Sequence, residues 1–168
     1  MTKFANLFDA GIELGTHLLE IGGDFTLVPI MPNGVPVALG IESAVGTCEL
    51  IALDIHRSEH GVEVVGFHQE FAPQGATVYV VDDGVETGTA AKACGLWLRE
   101  QGVGTLGLAV PVCPKTAEYS LRSVFDVIVS AQSPLGARTL SWHYEDFDVI
   151  DVATATELLT ARAQHLGQ

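Results

Sequence analysis

VYVVDDGVETGTA, residues 78–90, is the stretch whose reading decides the fold. With Thr77 in front it gives TVYVV (Thr77–Val81), an apolar and β-branched run of strand length. The run ends in two adjacent carboxylates, Asp82 and Asp83, then turns through Thr87 and Gly88 into a helical pattern at Thr89. A buried strand leading straight into a helix is the building unit of a parallel sheet. Gly88 permits close backbone approach, and the threonine hydroxyls can donate. The start of the helix presents free N–H groups at the positive end of its dipole. The segment therefore reads as a phosphate cradle, with two carboxylates upstream placed for ribose hydroxyls or a hydrated Mg²⁺. A plainer reading has these residues only capping the helix.

Outward from this segment, strands and helices alternate. A stripe through Phe4, Leu7, Phe8, Gly11, Ile12, Gly15, Leu18 and Leu19 predicts a helix over 4–19, stopped by Gly22 and Gly23. TLVPI (26–30) reads as a buried strand ending in the turn Met31, Pro32, Asn33, Gly34. A helix over 37–45 and a strand over 49–54 are expected next. His56 to Gly61 reads as an exposed turn, and the alternation of Val62, Val64 and Phe67 as a peripheral hairpin. Beyond the central strand come a helix over 89–101, a strand over 106–112, a short helix over 115–123 and a strand over 125–130. An aromatic, acidic segment (Trp142 to Phe147) precedes a last helix over 154–166. The expected architecture is a single α/β domain over 1–168. It is a doubly wound, mainly parallel five-stranded sheet with helices on both faces. In such sheets ligands sit beyond the carboxyl ends of the strands, where the strand order reverses.

Composition narrows the function classes. The 168 residues are 48% hydrophobic and 17% charged, which excludes intrinsic disorder. The net charge of −13 sets the chain against nucleic acid and anionic lipid as partners. Cys48, Cys94 and Cys113 are widely spaced and predict reduced core residues with neither disulfide nor zinc framework. With no apolar run of membrane-spanning length, a cytoplasmic protein is expected. The apolar composition also points to surface covered by a second copy, a homodimer.

At residues 78–90 the chain resembles the type I phosphoribosyltransferases, whose phosphoribosyl pyrophosphate signature joins four apolar residues, two acidic residues and a Thr-Gly phosphate loop. PNGVPVA (32–38), VPVCP (110–114) and WHYEDF (142–147) have counterparts, in matching order, in a bacterial subgroup of that family. The resemblance spans about residues 4–150. It implies a small hood, here about 55–75, that closes over the reacting centre. It also implies that Asp82 and Asp83 meet the ribose hydroxyls, directly or through Mg²⁺, and carry the catalytic and metal-binding roles. Glu86, Thr87, Gly88, Thr89 and Ala90 would form the 5-phosphate loop, and Met31, Pro32, Asn33 and Gly34 would face the pyrophosphate. Arg57 would serve the hood. Trp142 and Tyr144 would lie over the accepting base, or else pack the last strand against the final helix. The implied reaction transfers phosphoribose from phosphoribosyl pyrophosphate to a nitrogen base.

Five positions depart from the family's general pattern, Tyr79 and Gly84 among them, although Gly84 suits the bacterial subgroup. Glu86 stands where a small or hydroxyl residue is usual, Ala90 replaces a threonine, and Pro32 replaces an arginine. Of the eight lysines and arginines, Arg57, Lys92, Lys115 and Arg138 are the candidates for the strand ends. A carboxylate a few ångströms from a phosphate costs about 1 kcal/mol or more. A second reading follows: a catalytically weakened homologue that binds a nucleotide or phosphate, or acts as a regulatory or assembly protein. A metal-dependent hydrolase built on Asp82 and Asp83 is the third. The six histidines show no metal-ligand spacing, and no serine has a nucleophile's context.

Overall fold

Asn6 starts the first helix: its side chain accepts from the Asp9 N–H at 2.8 Å, and α1 runs over Leu7–Ile21. Gly22, at φ 74°, ends it. The computed structural model describes residues 2–136 and 138–167. After α1 come β1 (Thr26–Pro29), α2 (Gly34–Val45), β2 (Glu49–Leu50), β3 (Leu53–Ser58), β4 (Gly61–Phe67) and β5 (Thr77–Val81). Then follow α3 (Thr89–Glu100), β6 (Thr105–Val112), α4 (Lys115–Leu121), β7 (Val127–Gln132), a 3₁₀ turn (Leu140–His143) and α5 (Val152–Leu166).

Five strands form one parallel sheet in the order β2-β1-β5-β6-β7, while β3 and β4 pair antiparallel as a separate hairpin. Strand periodicity sends alternate residues to opposite faces. Val28, Val78, Val80, Leu106, Leu108 and Val110 pack with α3, α4 and the hairpin. Leu27, Tyr79, Val81, Ala109, Val112 and Val129 pack with α1 and α2. The chain winds from β1 outward to β2, then returns to β5 and proceeds the other way, so the order reverses between β1 and β5. The expected five-stranded α/β architecture with helices on both faces is therefore the one found.

The α1–α2 contact depends on two glycines. A Cβ on Gly11 would stand 2.1 Å from the Val37 carbonyl oxygen, and one on Gly40 would stand 2.1 Å from that of Phe8. At the far end of α2, Glu42 accepts two hydrogen bonds from Arg162 of α5, at 2.8 and 2.6 Å, and Arg162 also donates to the Cys48 carbonyl at 2.7 Å. Burial pushes the Glu42 carboxyl up, but the hydrogen bonds from Arg162 and Cys48 outweigh it and hold the carboxyl below its ordinary value. A lowered carboxylate stabilises the fold above its unfolded-state value of 4.5, and that stability is lost as pH falls through the folded-state value. Arg162→Ala is expected to lower the melting temperature by about 5 °C near neutral pH, from a loss of about 2 kcal/mol. Calorimetry across pH checks it: the deficit should shrink below pH 4.5.

Several boundaries differ from expectation. The run over 49–54 is two strands: Glu49 and Leu50 pair with β1, whereas Leu53 leaves the sheet to open the hairpin. Residues 56–58 belong to β3, so the expected turn contracts to Glu59 and His60. The α2 helix starts three residues early, at Gly34. β7 begins at Val127 because Asp126 is taken up by Leu106, whose N–H donates to its carboxylate at 2.9 Å. Among the described residues no helix is long and apolar enough to cross a membrane.

Candidate functional site

The carboxyl ends of β1 and β5 lie side by side at the reversal point. Ile30 N–H donates to the Val81 carbonyl at 2.9 Å, and Met31 N–H to that of Leu53 at 3.0 Å, which ties the 31–34 turn to β5 and the hairpin. The Met31–Pro32 peptide is cis. Gly34 is required here, since a Cβ would fall 2.4 Å from the Val81 carbonyl oxygen. Asn33 joins three segments: its Nδ2 donates to Asp83 Oδ2 at 3.3 Å, and its Oδ1 accepts from the Ile150 N–H at 2.9 Å.

Asp82 and Asp83 leave the end of β5 only 7% and 9% exposed. The Asp83 N–H donates to Asp82 Oδ1 at 2.9 Å. Among the described residues no lysine or arginine forms an ion pair with either carboxylate. Burial pushes Asp82 well above the ordinary carboxylate range, and the neighbouring Asp83 charge adds to it. Burial raises Asp83 too, against the hydrogen bonds from the Asp82 side and from Asn33 and the nearby charge of Arg57. Two buried carboxylates with no ion-pair partner among the described residues form a hard-oxygen donor set. They fit Mg²⁺, which binds through one or two carboxylates and completes its shell with water and substrate oxygens.

The 84–90 loop is held from below by Val85, whose N–H donates to the Val112 carbonyl at 2.9 Å. Gly88, at φ 86°, turns the chain into α3, and the Thr87 and Thr89 hydroxyls stand 3.1 Å apart. The backbone N–H groups of Glu86, Thr87, Gly88, Ala90 and Ala91 have no acceptor among the described residues. Glu86 Oε1 accepts from the Leu140 N–H at 2.9 Å, so that part of its charge is engaged by the 3₁₀ turn. These residues, with Asp82, Asp83, Arg57 and Leu140, enclose a cavity of about 170 Å³.

The structure thus gathers Asp82, Asp83, Glu86, Thr87, Gly88, Thr89, Ala90 and Arg57 around one cavity. Asn33 touches it through Asp83, whereas Met31 and Pro32 line an adjoining one. Of the four candidate cations, Arg57 alone lines the 170 Å³ cavity among the described residues. Lys92 and Lys115 are exposed on α3 and α4, and Arg138 stacks on the Trp142 ring at 4.4 Å. Trp142 therefore borders a different hollow, with Ser133, Pro134 and His143. Tyr144 lies outside the walls of the 170 Å³ cavity: it is 2% exposed, packs on Phe4 and Phe147, and donates to the Asp83 carbonyl at 2.6 Å. Burial and the nearby Asp83 and Asp82 charges raise its phenol. Its place is behind the acidic pair, fixing the backbone. Leu140 went unanticipated, because nothing in its sequence neighbourhood marks a contact with a loop some fifty residues earlier.

No protein-family model matches the sequence, and no curated protein does. Solved structures do. The TT1426 protein of Thermus thermophilus superposes with a TM-score of 0.81 at 20% identity, covering 94% of this chain and 98% of its own. A purine phosphoribosyltransferase from Pyrococcus horikoshii gives a TM-score of 0.60 at 17% identity, with 86% and 92% covered. The fold is that of the phosphoribosyltransferases. A further structure with a TM-score of 0.60, at 14% identity and covering 96% and 98%, is a hypothetical protein from Neisseria gonorrhoeae with bound ppGpp. On this phosphoribosyltransferase fold, the acidic pair and the loop after it occupy the reversal point of the sheet.

Proposed function

We propose that the protein binds phosphoribosyl pyrophosphate with Mg²⁺ and transfers phosphoribose to a nitrogen base. One observation carries this reading: two buried carboxylates with no ion-pair partner among the described residues run directly into a loop whose N–H groups have no acceptor among those residues. The loop from Glu86 to Ala90 would hold the 5-phosphate through backbone N–H groups and the Thr87 and Thr89 hydroxyls. Asp82 and Asp83 would orient the ribose hydroxyls and hold Mg²⁺, which when bound offsets charge on the diphosphate. Arg57, from the hairpin, adds the nearby positive charge. The hairpin also shields the centre from water, which would otherwise intercept an oxocarbenium-like transition state. We place the protein in the cytoplasm, as a homodimer.

Glu86 on the cavity wall and the scarcity of cations favour a second reading, a weakened homologue that holds a mononucleotide or phosphate ester in the same cradle or serves as a regulatory or assembly protein. Calorimetric titration of phosphoribosyl pyrophosphate with Mg²⁺ separates the two. Micromolar binding is expected, weakened at least about thirtyfold in Asp83→Asn, the equivalent of about 2 kcal/mol. No binding of this donor, alongside binding of a mononucleotide, would establish the second reading instead.

A further inference from the structure

The 3₁₀ turn borders two hollows. Leu140 at its start belongs to the loop cavity, whereas Trp142 and His143 at its end line another of about 670 Å³. The two have no wall residue in common among the described residues. Pro134, Leu135 and Trp142 give the second hollow an apolar side, and Leu135 is left 80% exposed. Arg138, also on its wall, lies with Cζ 4.4 Å from the centre of the Trp142 ring, and Lys3 Nζ stands 5.7 Å from the same point. The chain carries 21 Asp and Glu, yet among the described residues no carboxylate pairs with either cation and none lines the hollow. Glu118, which accepts from the Ser133 hydroxyl at 3.5 Å, is itself paired with Arg122 at 3.1 Å. His143 completes the wall: it is 1% exposed, and its buried Nδ1 has no hydrogen-bond partner among the described residues. Buried polar atoms are normally satisfied, so an orphan in a cavity wall calls for a partner from outside the fold. Burial first, then the charges of Arg138 and Lys3, hold the imidazole below its ordinary value, so the ring is neutral at neutral pH. The field that keeps the ring neutral is one that draws an anion.

We infer that this hollow is a second anion site, separate from the loop cavity, and that it takes a phosphate ester with a compact apolar body. Arg138, resting on the Trp142 ring, offers the guanidinium edge that suits two oxygens of one phosphate. Lys3 adds a second positive charge at the same ring, and His143 supplies a neutral ring with an open hydrogen-bonding position. The apolar body of the ester rests on Pro134 and Leu135. The volume lies within the range of small-molecule sites, about 300–1,000 Å³.

NMR titration of ¹⁵N-tryptophan-labelled protein with phenyl phosphate, and separately with inorganic phosphate, tests this at the two indole N–H signals. The Trp142 signal is expected to move saturably while that of Trp97, packed on Phe67, stays put. Arg138→Gln should weaken phenyl phosphate at least about tenfold and Lys3→Gln about threefold, through the charge-assisted contacts they remove. Both side chains are exposed, so the melting temperature of either variant should match the parent. Phenyl phosphate should bind more tightly than inorganic phosphate, and Leu135→Ser should erase that preference. Thr87→Ala with Thr89→Ala, which alters the loop cavity, should leave the Trp142 response intact. A Trp142 signal that ignores both probes at millimolar concentration overturns the site. So does a response that persists unweakened in Arg138→Gln, or one that disappears in the Thr87 and Thr89 variant, since the phosphate would then sit in the loop cavity. Equal affinity for the two probes overturns the assignment to an ester.

Discussion

Gly40→Ala is expected to lower the melting temperature by about 10 °C, a large loss for one added methyl group. The added carbon would stand 2.1 Å from the Phe8 carbonyl oxygen, well inside contact distance, and 2.9 Å from the Gly11 Cα. Both obstacles are backbone, so no rotamer change relieves them. The helices must move apart, and α1 and α2 lose contacts shared by Leu7, Ala10, Leu14, Val37 and Ile41. Overpacking of this kind costs about 3 kcal/mol, which for a domain of this size corresponds to about 10 °C. Thermal unfolding followed by circular dichroism measures it. Gly11→Ala should cost a similar amount. The double variant should cost less than the two together, because once the helices have separated the second methyl meets less resistance. Additive losses would show that the two glycines act independently.

Asp82→Asn should act in the opposite direction on stability and against the ligand. The carboxyl is pushed up by burial first and by the Asp83 charge second, so the folded chain disfavours its ionised form. For such a group the cost of folding is absent below the ordinary value of 3.8 and accumulates as pH rises through the folded-state value. An asparagine keeps the oxygen that accepts from the Asp83 N–H and carries no charge. The variant is therefore expected to melt about 3–6 °C higher at pH 7.5, a gain of about 1–2 kcal/mol, and to match the parent below pH 3.8. Its affinity for phosphoribosyl pyrophosphate with Mg²⁺ should fall at least about tenfold, since a carboxylate is lost from the donor set. A variant that melts lower at neutral pH would mean that the pair already shares a proton or an ion whose loss outweighs the relief.

Residues 77–81 were legible as a strand to the residue, because a run buried on both faces needs no partner to be recognised. The acidic pair and its loop were legible for a related reason: the chemistry is contiguous in sequence and one strand end carries it. What was not legible depends on pairing. Nothing in ELIALD (49–54) tells that Leu50 hydrogen-bonds one sheet and Leu53 opens another, since both halves are apolar and both are buried. Tyr144 illustrates the same gap. Its aromatic neighbourhood suited a ring over a base, yet the hydroxyl found the Asp83 carbonyl across sixty-one positions. His68 and Asp54 sit fourteen positions apart and meet because the hairpin register brings the two strand ends together.

The hairpin is a sheet of its own, and that has a consequence for how proteins built like this one diversify. Its roots are fastened by Phe67 and Phe71 against Trp97 and the α3 side of the core, while residues 58–60 at its tip, beyond Arg57, project into solvent. Beyond a single bridge between Ile30 and Leu53 at its base, the hairpin shares no ladder with the five-stranded sheet among the described residues. Changes in tip length or composition therefore leave the load of folding where it was, and a loop swap across descendants can retune what is admitted without disturbing what holds the phosphate. The tip is thus an adjustable mouth on a floor braced separately by the five-stranded sheet.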